Sequence, residues 1–580
     1  MASTKAKPKL YGRAFYESIG SPKFVVAPMV DQSEFAWRML TRSFLTRADN
    51  ARLLAYTPMF HARLFDETPK YRDSHFQATR PSSTAPLGDA PPESTPFLDG
   101  NPRFDRPLFV QFCANDPAHL LNAAQLAAPY CDAVDLNLGC PQGIARKGHY
   151  GAFLQEDQDL VYRLINNLHK HLPVPVTAKI RILETKEDTL AYAKNVLAAG
   201  ASIITVHGRR RDQKGHLTGV ADWEYIRYLR ENLPEETVIF ANGNILQHDD
   251  LERCLAATGA DAIMSAEGNL SDPGIFATAP PVGYEGREYW RGRDGKGGWR
   301  VDAVFRRYMD IIHRHVLEQE PPSRRPLFIV GDDENWLQQD VVQDVEQEEE
   351  GPARKKRKKD SGGASKKYEP SPNIVAIRPH LFHLLRHFVS RHTDIRDILA
   401  RCHVGDIPAF ENVLNMVERR VAAGLAAYEK TDGKSLEEEP ELKPNHRAPG
   451  PAKEGGEGEA ADPDYDPESS VVTVKMCKRP WWIAQPIVRP LPKEALAKGS
   501  ISLSKKDRKK LEEAAAAAAV ATETATEISG SGQKKEPTND SQGDEEDNKK
   551  GDGKGVEDGL QRDSMKEPPI ETKSLRPDER

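Results

Sequence analysis

Eight short apolar runs, separated by segments whose apolar residues recur at helical spacing, restrict the fold of this chain more than any other feature. Strand-like runs that alternate with amphipathic helices predict parallel strands joined by right-handed crossovers. Eight strands in about 250 residues is the count of a (β/α)8 TIM barrel. The runs are FVVAPMV (24–30), LLAYTPM (53–59), LFVQFCA (108–114), AVDLNLGCP (133–141), VTAKIRI (176–182), SIITVHG (202–208), VIFANGN (238–244) and AIMSAEG (262–268).

The fold class is therefore predicted as α/β, with the barrel over residues 23–278 after a short lead, 1–22. A doubly wound sheet is the competing architecture. It usually carries a glycine-rich dinucleotide-binding loop after its first strand. No such loop follows residues 24–30, which favours the barrel.

Most of the predicted strands end on polar or reactive side chains. Active sites of TIM barrels lie at the carboxyl ends of the strands, so these side chains are expected to meet at one mouth. Six strands that end in this way are difficult to explain without a ligand. The residues are Gln111, Asn137, Cys140, Lys179, Arg181, His207, Asn242, Asn244 and Glu267.

The last two strands are followed by ANGN (241–244) and SAEGN (265–269). In barrels these loops often hold a phosphate, although Asn-Gly is also an ordinary tight turn. With Lys179, His207 and Gln111 at the same mouth, a phosphorylated aromatic cofactor fits better than a plain turn. FMN has these properties, and APMV (27–30) can lie beneath its ring.

Cys140 lies past the end of the fourth run, between Gly139 and Pro141. A buried structural cysteine is the ordinary alternative, but a position in a loop at the mouth favours a reactive thiol. The thiol could act as a nucleophile or as an acid that delivers a proton. No spacing in the chain decides between these two roles.

Composition excludes several classes of protein. None of the six cysteines forms a CxxC pair, so neither a zinc site nor a disulfide framework is predicted, and a reducing intracellular compartment is expected. No apolar stretch reaches membrane-spanning length. The formal charge of −7 does not suggest a nucleic-acid binder, but an acidic tail can mask a basic face in such a sum.

Beyond the barrel, apolar stripes predict a helical domain over 279–430, interrupted by a charged linker at 318–371. Residues 431–580 are rich in Glu, Lys, Gly, Ala and Pro and are predicted to be mostly disordered. Within them WWIAQPIVRPLP is too apolar for a free linker, so a segment near 476–492 is expected to dock. A Pro- and Ser-rich stretch, 66–106, is predicted to be a disordered insertion.

These motifs resemble a known family. The series APMV, YTPM, QFCANDP, DLNLGCPQ, KIR, VHGRR, FANGN and MSAEGNL is similar to the eukaryotic tRNA-dihydrouridine synthases. Within them it most resembles the class that acts on positions 16 and 17 of the D-loop. DLNLGCPQGIARKGHYGAFL (135–154) is the most specific stretch, and the resemblance is strong from 23 to about 278.

The resemblance implies that reduced FMN passes hydride to C6 of a uracil in tRNA, that Cys140 protonates C5, and that NADPH regenerates the flavin. It implies that the helical domain orients the tRNA. Asn137 becomes a contact to the uracil edge, while Arg181 and Arg209 match positions near uracil or phosphate. The implied flavin contacts are Pro28, Met29, Val30, Gln111, Lys179, His207, Asn242, Gly243, Asn244, Ala266 and Glu267.

Two other functions are compatible with parts of the sequence. Another FMN barrel acting on free pyrimidines would explain the flavin loops, but not the helical domain with its arginines at 386, 391, 396 and 401. An RNA-binding protein without catalysis would not need the intact strand ends. The basic cluster at 354–359 is typical of a nuclear signal or of a patch that steers RNA, and the sequence does not separate these two roles. The cytoplasm or the nucleus is expected, and a mitochondrial location is not. No metal, membrane or obligate protein partner is predicted.

Overall fold

Eight parallel strands close into a barrel in this computed structural model, which confirms the predicted fold class. Strand β1 pairs with β9 on one side and with β2 on the other, and β2 pairs with β4, which closes the circle. Strand β3 is a two-residue addition that pairs only with β4. The strands are Phe24–Val26 (β1), Leu53–Tyr56 (β2), Phe60–His61 (β3), Leu108–Cys113 (β4), Ala133–Leu138 (β5), Val176–Arg181 (β6), Ile203–His207 (β7), Val238–Asn242 (β8), Ala262–Ser265 (β9), Tyr289–Arg291 (β10) and Gly297–Trp299 (β11).

The structure describes residues 9–80, 95–338, 371–437 and 470–497. All of them belong to one unit, Met1–Ser502, and the second unit, Leu503–Arg580, lies outside the described residues. The helices are Gly12–Ser18 (α1), Phe35–Ser43 (α2), Arg47–Asn50 (α3), Ala62–Glu67 (α4), Pro69–His75 (α5), Pro117–Ala127 (α6), Gly143–Lys147 (α7), Gln158–His171 (α8), Lys186–Ala198 (α9), Glu224–Asn232 (α10), Asp249–Thr258 (α11), Glu267–Ser271 (α12), Val301–Ile311 (α13), Asn335–Gln338 (α14), Pro372–Leu384 (α15), Arg386–Arg391 (α16), Thr393–Arg401 (α17), Ile407–Lys430 (α18), Lys434–Glu437 (α19), Ser470–Cys477 (α20) and Pro492–Ala497 (α21).

Side chains of each barrel strand alternate between two environments. One set faces the surrounding helices and forms the largest apolar core, with Val110, Ile204 and Ile239 among its members. The other set faces the barrel interior, which α1 closes by packing Phe15 against Phe109. Because alternate residues of a strand point to opposite faces, every second residue faces the interior. The polar residues on this face therefore continue along the strands to the mouth of the barrel.

A second apolar core joins α2 to the helical region that follows the barrel. Helix α13 packs on α2 and on α18, and its apolar side chains Val301, Val304, Phe305 and Tyr308 are buried there. The hairpin β10–β11 precedes this region and is not apparent from the apolar periodicity of the sequence. The helical region after the barrel is thus confirmed, and it rests directly on a barrel helix.

The prediction of a disordered stretch at 66–106 is wrong at both ends. At the first end, helix α5 occupies residues 69–75. At the other end, residues 95–106 are held by a buried arginine of α2. Arg38 pairs with Asp99 at 2.8 Å and with Asp105 at 2.6 Å, and all three side chains are almost fully buried. The polar composition of this stretch indicates disorder, but two of its carboxylates form ion pairs inside the protein, where charged side chains are stable only when paired. Residues 81–94 lie outside the described residues.

The predicted linker at 318–371 is also too long at its start. Residues 318–338 are described; Leu327 and Phe328 are buried, and Arg324 bridges Asp310 and Glu411. The rest of this linker, with the basic cluster at 354–359, lies outside the described residues. The same holds for the predicted disordered tail from 438 onward, except for residues 470–497.

Residues 476–492, the expected docking segment, pack on the junction between the hairpin and the helical region. Trp482 and Ile483 are buried. The Trp482 carbonyl accepts a hydrogen bond from the Val301 N–H, and the Ala484 N–H donates to the Trp299 carbonyl. We call residues 476–497 the C-terminal strap. It continues past α16, where the Pro486 carbonyl lies 3.1 Å from the His387 ring.

Candidate active site

Strand register brings the polar strand ends together at the carboxyl end of the barrel. Asn137 on β5 is the direct neighbour of Lys179 on β6. Arg181, two residues further along β6, stands beside His207 on β7, which in turn stands beside Asn242 on β8. Because side chains two residues apart point to the same face, this lateral series forms a continuous polar rim.

The residues predicted from the sequence occupy the rim and the loops above it. Gln111 is fully buried, Asn137, Arg181 and Asn242 are nearly so, and Val30 and Glu267 are exposed. Five strands carry Gln111 (β4), Asn137 (β5), Lys179 and Arg181 (β6), His207 (β7) and Asn242 (β8). The loops carry the others: Pro28, Met29 and Val30 after β1, Cys140 after β5, Arg209 after β7, Gly243 and Asn244 after β8, and Ala266 and Glu267 after β9.

A chain of side-chain hydrogen bonds crosses the barrel interior from Asp135 to the loop of Cys140. Gln111 donates its amide N–H to Asp135 Oδ2 over 2.8 Å. Asn137 donates to Gln111 Oε1 over 2.8 Å, and Asn137 Oδ1 accepts the backbone N–H of Cys140 over 2.9 Å. The turn that carries the thiol is therefore held from inside the barrel.

Cys140 is half-buried, whereas the other five cysteines are buried. Its carbonyl accepts the N–H of Ala152. Gly151, at φ +66°, lies directly behind it, and an added Cβ there would come within 2.8 Å of the Cys140 carbonyl oxygen. The loop after β5 thus places one accessible thiol at the mouth and leaves no room behind it.

Burial and neighbouring positive charges lower the pKa values of two rim side chains, Lys179 and His207. Burial, helped by Arg181, lowers the pKa of Lys179 to about 7, and its ammonium donates to Asn242 Oδ1 over 3.0 Å. Burial also lowers the pKa of His207 well below its usual value, so this ring is neutral at pH 7. Arg209 donates to His207 Nε2 over 3.1 Å, which leaves the ring hydrogen on Nδ1.

The loops after β7 and β8 are tied to each other. Arg209 donates to Asn244 Oδ1 over 2.7 Å and to the Gly219 carbonyl over 3.0 Å. Gly243 has φ +119°, and an added Cβ would lie 2.6 Å from the Ala221 side chain and 3.2 Å from the His207 ring. Only glycine fits this position, because the backbone packs directly on Ala221 and His207.

Arg181 differs from the other cations of the rim, because its guanidinium is largely used inside the protein. It donates to the Gly139 carbonyl over 2.8 Å and to the Arg210 carbonyl over 2.9 Å. Burial lowers its pKa to about 10, with Arg209 acting in the same direction. Arg181 therefore ties the loop before Cys140 to the loop after β7.

Sequence reasoning missed three residues of this neighbourhood. Asp135 stands two residues before Asn137 in DLNLGC, so strand alternation alone was enough to place it on the same face. Arg489 of the C-terminal strap donates to Glu267, the first residue of α12 after β9. The pKa of His383 on α15 is lowered, first by burial, and the charges of Glu267 and Arg489 both act on it. The contacts of Arg489 and His383 have no signal in the local sequence.

No described helix is long and apolar enough to span a membrane. No group of histidine, cysteine and carboxylate side chains suited to a metal ion occurs among the same residues.

Comparison with known proteins gives consistent matches. The model of the dihydrouridine synthase family matches residues 25–291. The chain is 40% identical over 487 residues to a tRNA-dihydrouridine(16/17) synthase of Schizosaccharomyces pombe whose name includes NAD(P)(+), covering 84% of this chain and 92% of that protein. It is 45% identical over 399 residues to the Saccharomyces cerevisiae protein of the same name, covering 69% and 74%. A human tRNA-dihydrouridine(20a/20b) synthase-like protein is 33% identical over 264 residues, covering 45% and 71%.

Proposed function

This chain belongs to the dihydrouridine synthase family, and on that premise we propose that it reduces uridine in tRNA to 5,6-dihydrouridine at positions 16 and 17 of the D-loop. The observation that carries the proposal is the thiol of Cys140 beside the rim of Asn137 and Lys179. The position numbers follow the two yeast proteins, which are more similar over longer spans than the human (20a/20b) relative. NAD(P)H is the reductant that their names support.

FMN fits the residues of the rim. At Gly243 the loop after β8 packs directly on Ala221 and the His207 ring, which brings its backbone close to the rim. Lys179, with a pKa near 7, and the neutral His207 ring provide hydrogen bonds to polar ring atoms. Gln111 and Asn242 add amides, Pro28, Met29 and Val30 lie in the loop after β1, and Asn244, Ala266 and Glu267 complete the set predicted to hold the cofactor.

When bound, FMN supplies the hydride that C6 of uracil receives, and NADPH restores the reduced cofactor. The side chains of the chain supply the rest. Cys140 delivers a proton to C5, because its half-buried thiol is the accessible one at the mouth. Asn137 holds the uracil edge, and Arg181 and Arg209 are proposed to add positive charge near uracil or phosphate.

The helical region is proposed to orient the tRNA. Its α16 and α17 carry Arg386, Arg391, Arg396 and Arg401, and Arg386, Arg391 and Arg401 are exposed. Arginines on a helical surface can bind RNA phosphate without reading sequence. We also propose a location in the cytoplasm or nucleus, on the basic cluster at 354–359.

The direct test is to map dihydrouridine in unmodified tRNA after treatment with the purified protein and NADPH. We expect the modified nucleoside at positions 16 and 17 and a yellow protein with flavin absorbance. Product at other positions would overturn the positional part of the proposal. Reduction of free uracil at a rate similar to that of tRNA would support instead a flavin barrel that acts on free pyrimidines.

The affinity for FMN is expected to fall as pH rises above about 7, because Lys179 must be protonated to bind an electron-rich cofactor edge. Arg181 lowers the pKa of Lys179, Asp135 and Cys140 raise it, and the neutral His207 stands nearby. The loss approaches tenfold, about 1.4 kcal/mol, for each pH unit above the pKa. Fluorescence titration between pH 7 and 9 measures it, with Lys179→Met as the control whose weaker affinity stays constant. Equal pH dependence in both proteins would contradict the prediction.

A further inference from the structure

The hydrogen-bond chain beneath Cys140 has only one fully satisfied arrangement. One end is the carboxylate of Asp135, which accepts hydrogen bonds only. The other end is the backbone N–H groups of Gly139 and Cys140, which donate only. The amides of Gln111 and Asn137 lie between these ends, and each must present its N–H toward Asp135 and its oxygen toward the loop.

This arrangement limits what Asn137 can offer to a ligand. Its oxygen accepts two backbone N–H groups, from Gly139 over 3.1 Å and from Cys140 over 2.9 Å. One of its two N–H groups donates to Gln111. Among its contacts with the described residues, one N–H remains, and this group donates. A carbonyl oxygen is its natural partner, and uracil has two.

We propose that Asp135 is a positioning residue: through Gln111 it holds Asn137 in the orientation that caps the Cys140 turn and directs a single N–H at a carbonyl oxygen of the uracil. This inference deepens the proposed function and rests on it. Asp135 is fully buried and lies below the rim, so it touches neither the base nor the thiol.

The surroundings of Asp135 make its charge adjustable. Thr177 donates to Asp135 Oδ1 over 2.6 Å, and Gln111 occupies the other oxygen. Burial raises the pKa of Asp135 to about 6, while Thr177, Gln111 and the charge of Lys179 act against the rise. Another titratable neighbour is Tyr56, a buried phenol. Burial raises its pKa, and the charge of Asp135 acts in the same direction.

Two substitutions separate the parts of the proposal. Asp135→Asn keeps an acceptor for Gln111 but removes the charge, whereas Asp135→Leu removes the acceptor. We expect reoxidation of the reduced enzyme by tRNA at pH 7 to slow about 100-fold in Asp135→Leu and about tenfold in Asp135→Asn, since a buried amide left without its acceptor loses more than one with a neutral acceptor. Thr205→Val is the matched control, because Thr205 is equally buried inside the barrel and its hydroxyl neighbours Tyr56, not Gln111 or Asn137.

Reduction of the bound flavin by NADPH is expected to stay near the wild-type rate in every variant, because the hydrogen-bond chain positions the base and Cys140, which take part only in the reaction with tRNA. A purely structural role would instead lower flavin content and both half-reactions together. Hydrogen exchange gives a readout apart from turnover: peptides covering 137–152 should lose protection in Asp135→Leu and keep it in Asp135→Asn and Thr205→Val.

The pH dependence decides the matter even if Asp135→Leu does not fold. Below pH 6 the wild-type carboxyl is itself neutral, so the ratio of wild-type to Asp135→Asn reoxidation rates should approach one there and grow above it. A ratio that stays constant from pH 5 to 8, or an Asp135→Leu variant with wild-type reoxidation, would overturn the proposal. Failure of the wild-type enzyme to be reoxidised by tRNA would overturn the proposed function instead, and the exchange experiment would still test the hydrogen-bond chain.

Discussion

Replacing Cys140 by alanine is expected to lower the rate of dihydrouridine formation by about 10²–10⁴-fold, the usual contribution of a positioned acid. A pyrimidine C5=C6 bond takes up both a hydride and a proton, and Cys140 is the half-buried thiol at the rim. Flavin content should not change, because the thiol stands beside the residues proposed to hold the cofactor. Single-turnover quantification of dihydrouridine in tRNA measures the effect.

Cys113 provides the matched control for this experiment. It lies on β4 close to Cys140, but it is 1% exposed, and burial raises the pKa of its thiol to about 12. Cys113→Ala is therefore expected to keep a rate of the same order as the wild type. Full turnover in Cys140→Ala would remove the proton-donor role, and a loss of flavin in that variant would assign the thiol to cofactor binding.

Replacing Arg38 by methionine is expected to lower the free energy of unfolding by about 3–5 kcal/mol, because removing one partner of a buried ion pair leaves uncompensated charge. Arg38 is fully buried between Asp99 and Asp105. Burial alone lowers the pKa of Arg38, but the two carboxylates hold it above its usual value. Urea unfolding followed by intrinsic fluorescence measures the change.

The pH dependence of this loss has a definite sign. Burial already raises the pKa of Asp99, and Arg38 acts against this rise. Without Arg38 the folded-state pKa of Asp99 rises further above its unfolded value, so the variant loses stability as pH rises and regains it as pH falls. The deficit relative to the wild type should therefore be smaller at pH 5 than at pH 7. Arg63→Met is the control: Arg63 pairs with Glu67 on the surface, and no measurable change is expected. A deficit that does not vary with pH would contradict the prediction.

Much of the site was predictable because barrel geometry fixes where the residue at the end of each strand must lie. Once the eight runs are parallel strands, their carboxyl ends must meet, and Asn137, Lys179, His207 and Asn242 become neighbours. Strand alternation also places Asp135 inside the barrel. Local sequence was a poor guide to order at 66–106, because polar composition does not reveal that Asp99 and Asp105 find a buried arginine.

The barrel, the helical region, the polar mouth and the thiol within it follow from hydrophobic periodicity and strand alternation, which act over a few residues. The fold alone shows which distant groups meet: Arg38 with the 95–106 segment, the C-terminal strap with Glu267, and Asp135 with Gln111. Such contacts join residues that are 24 to 222 positions apart. Their partners are chosen by packing and burial, which no local pattern of residues records.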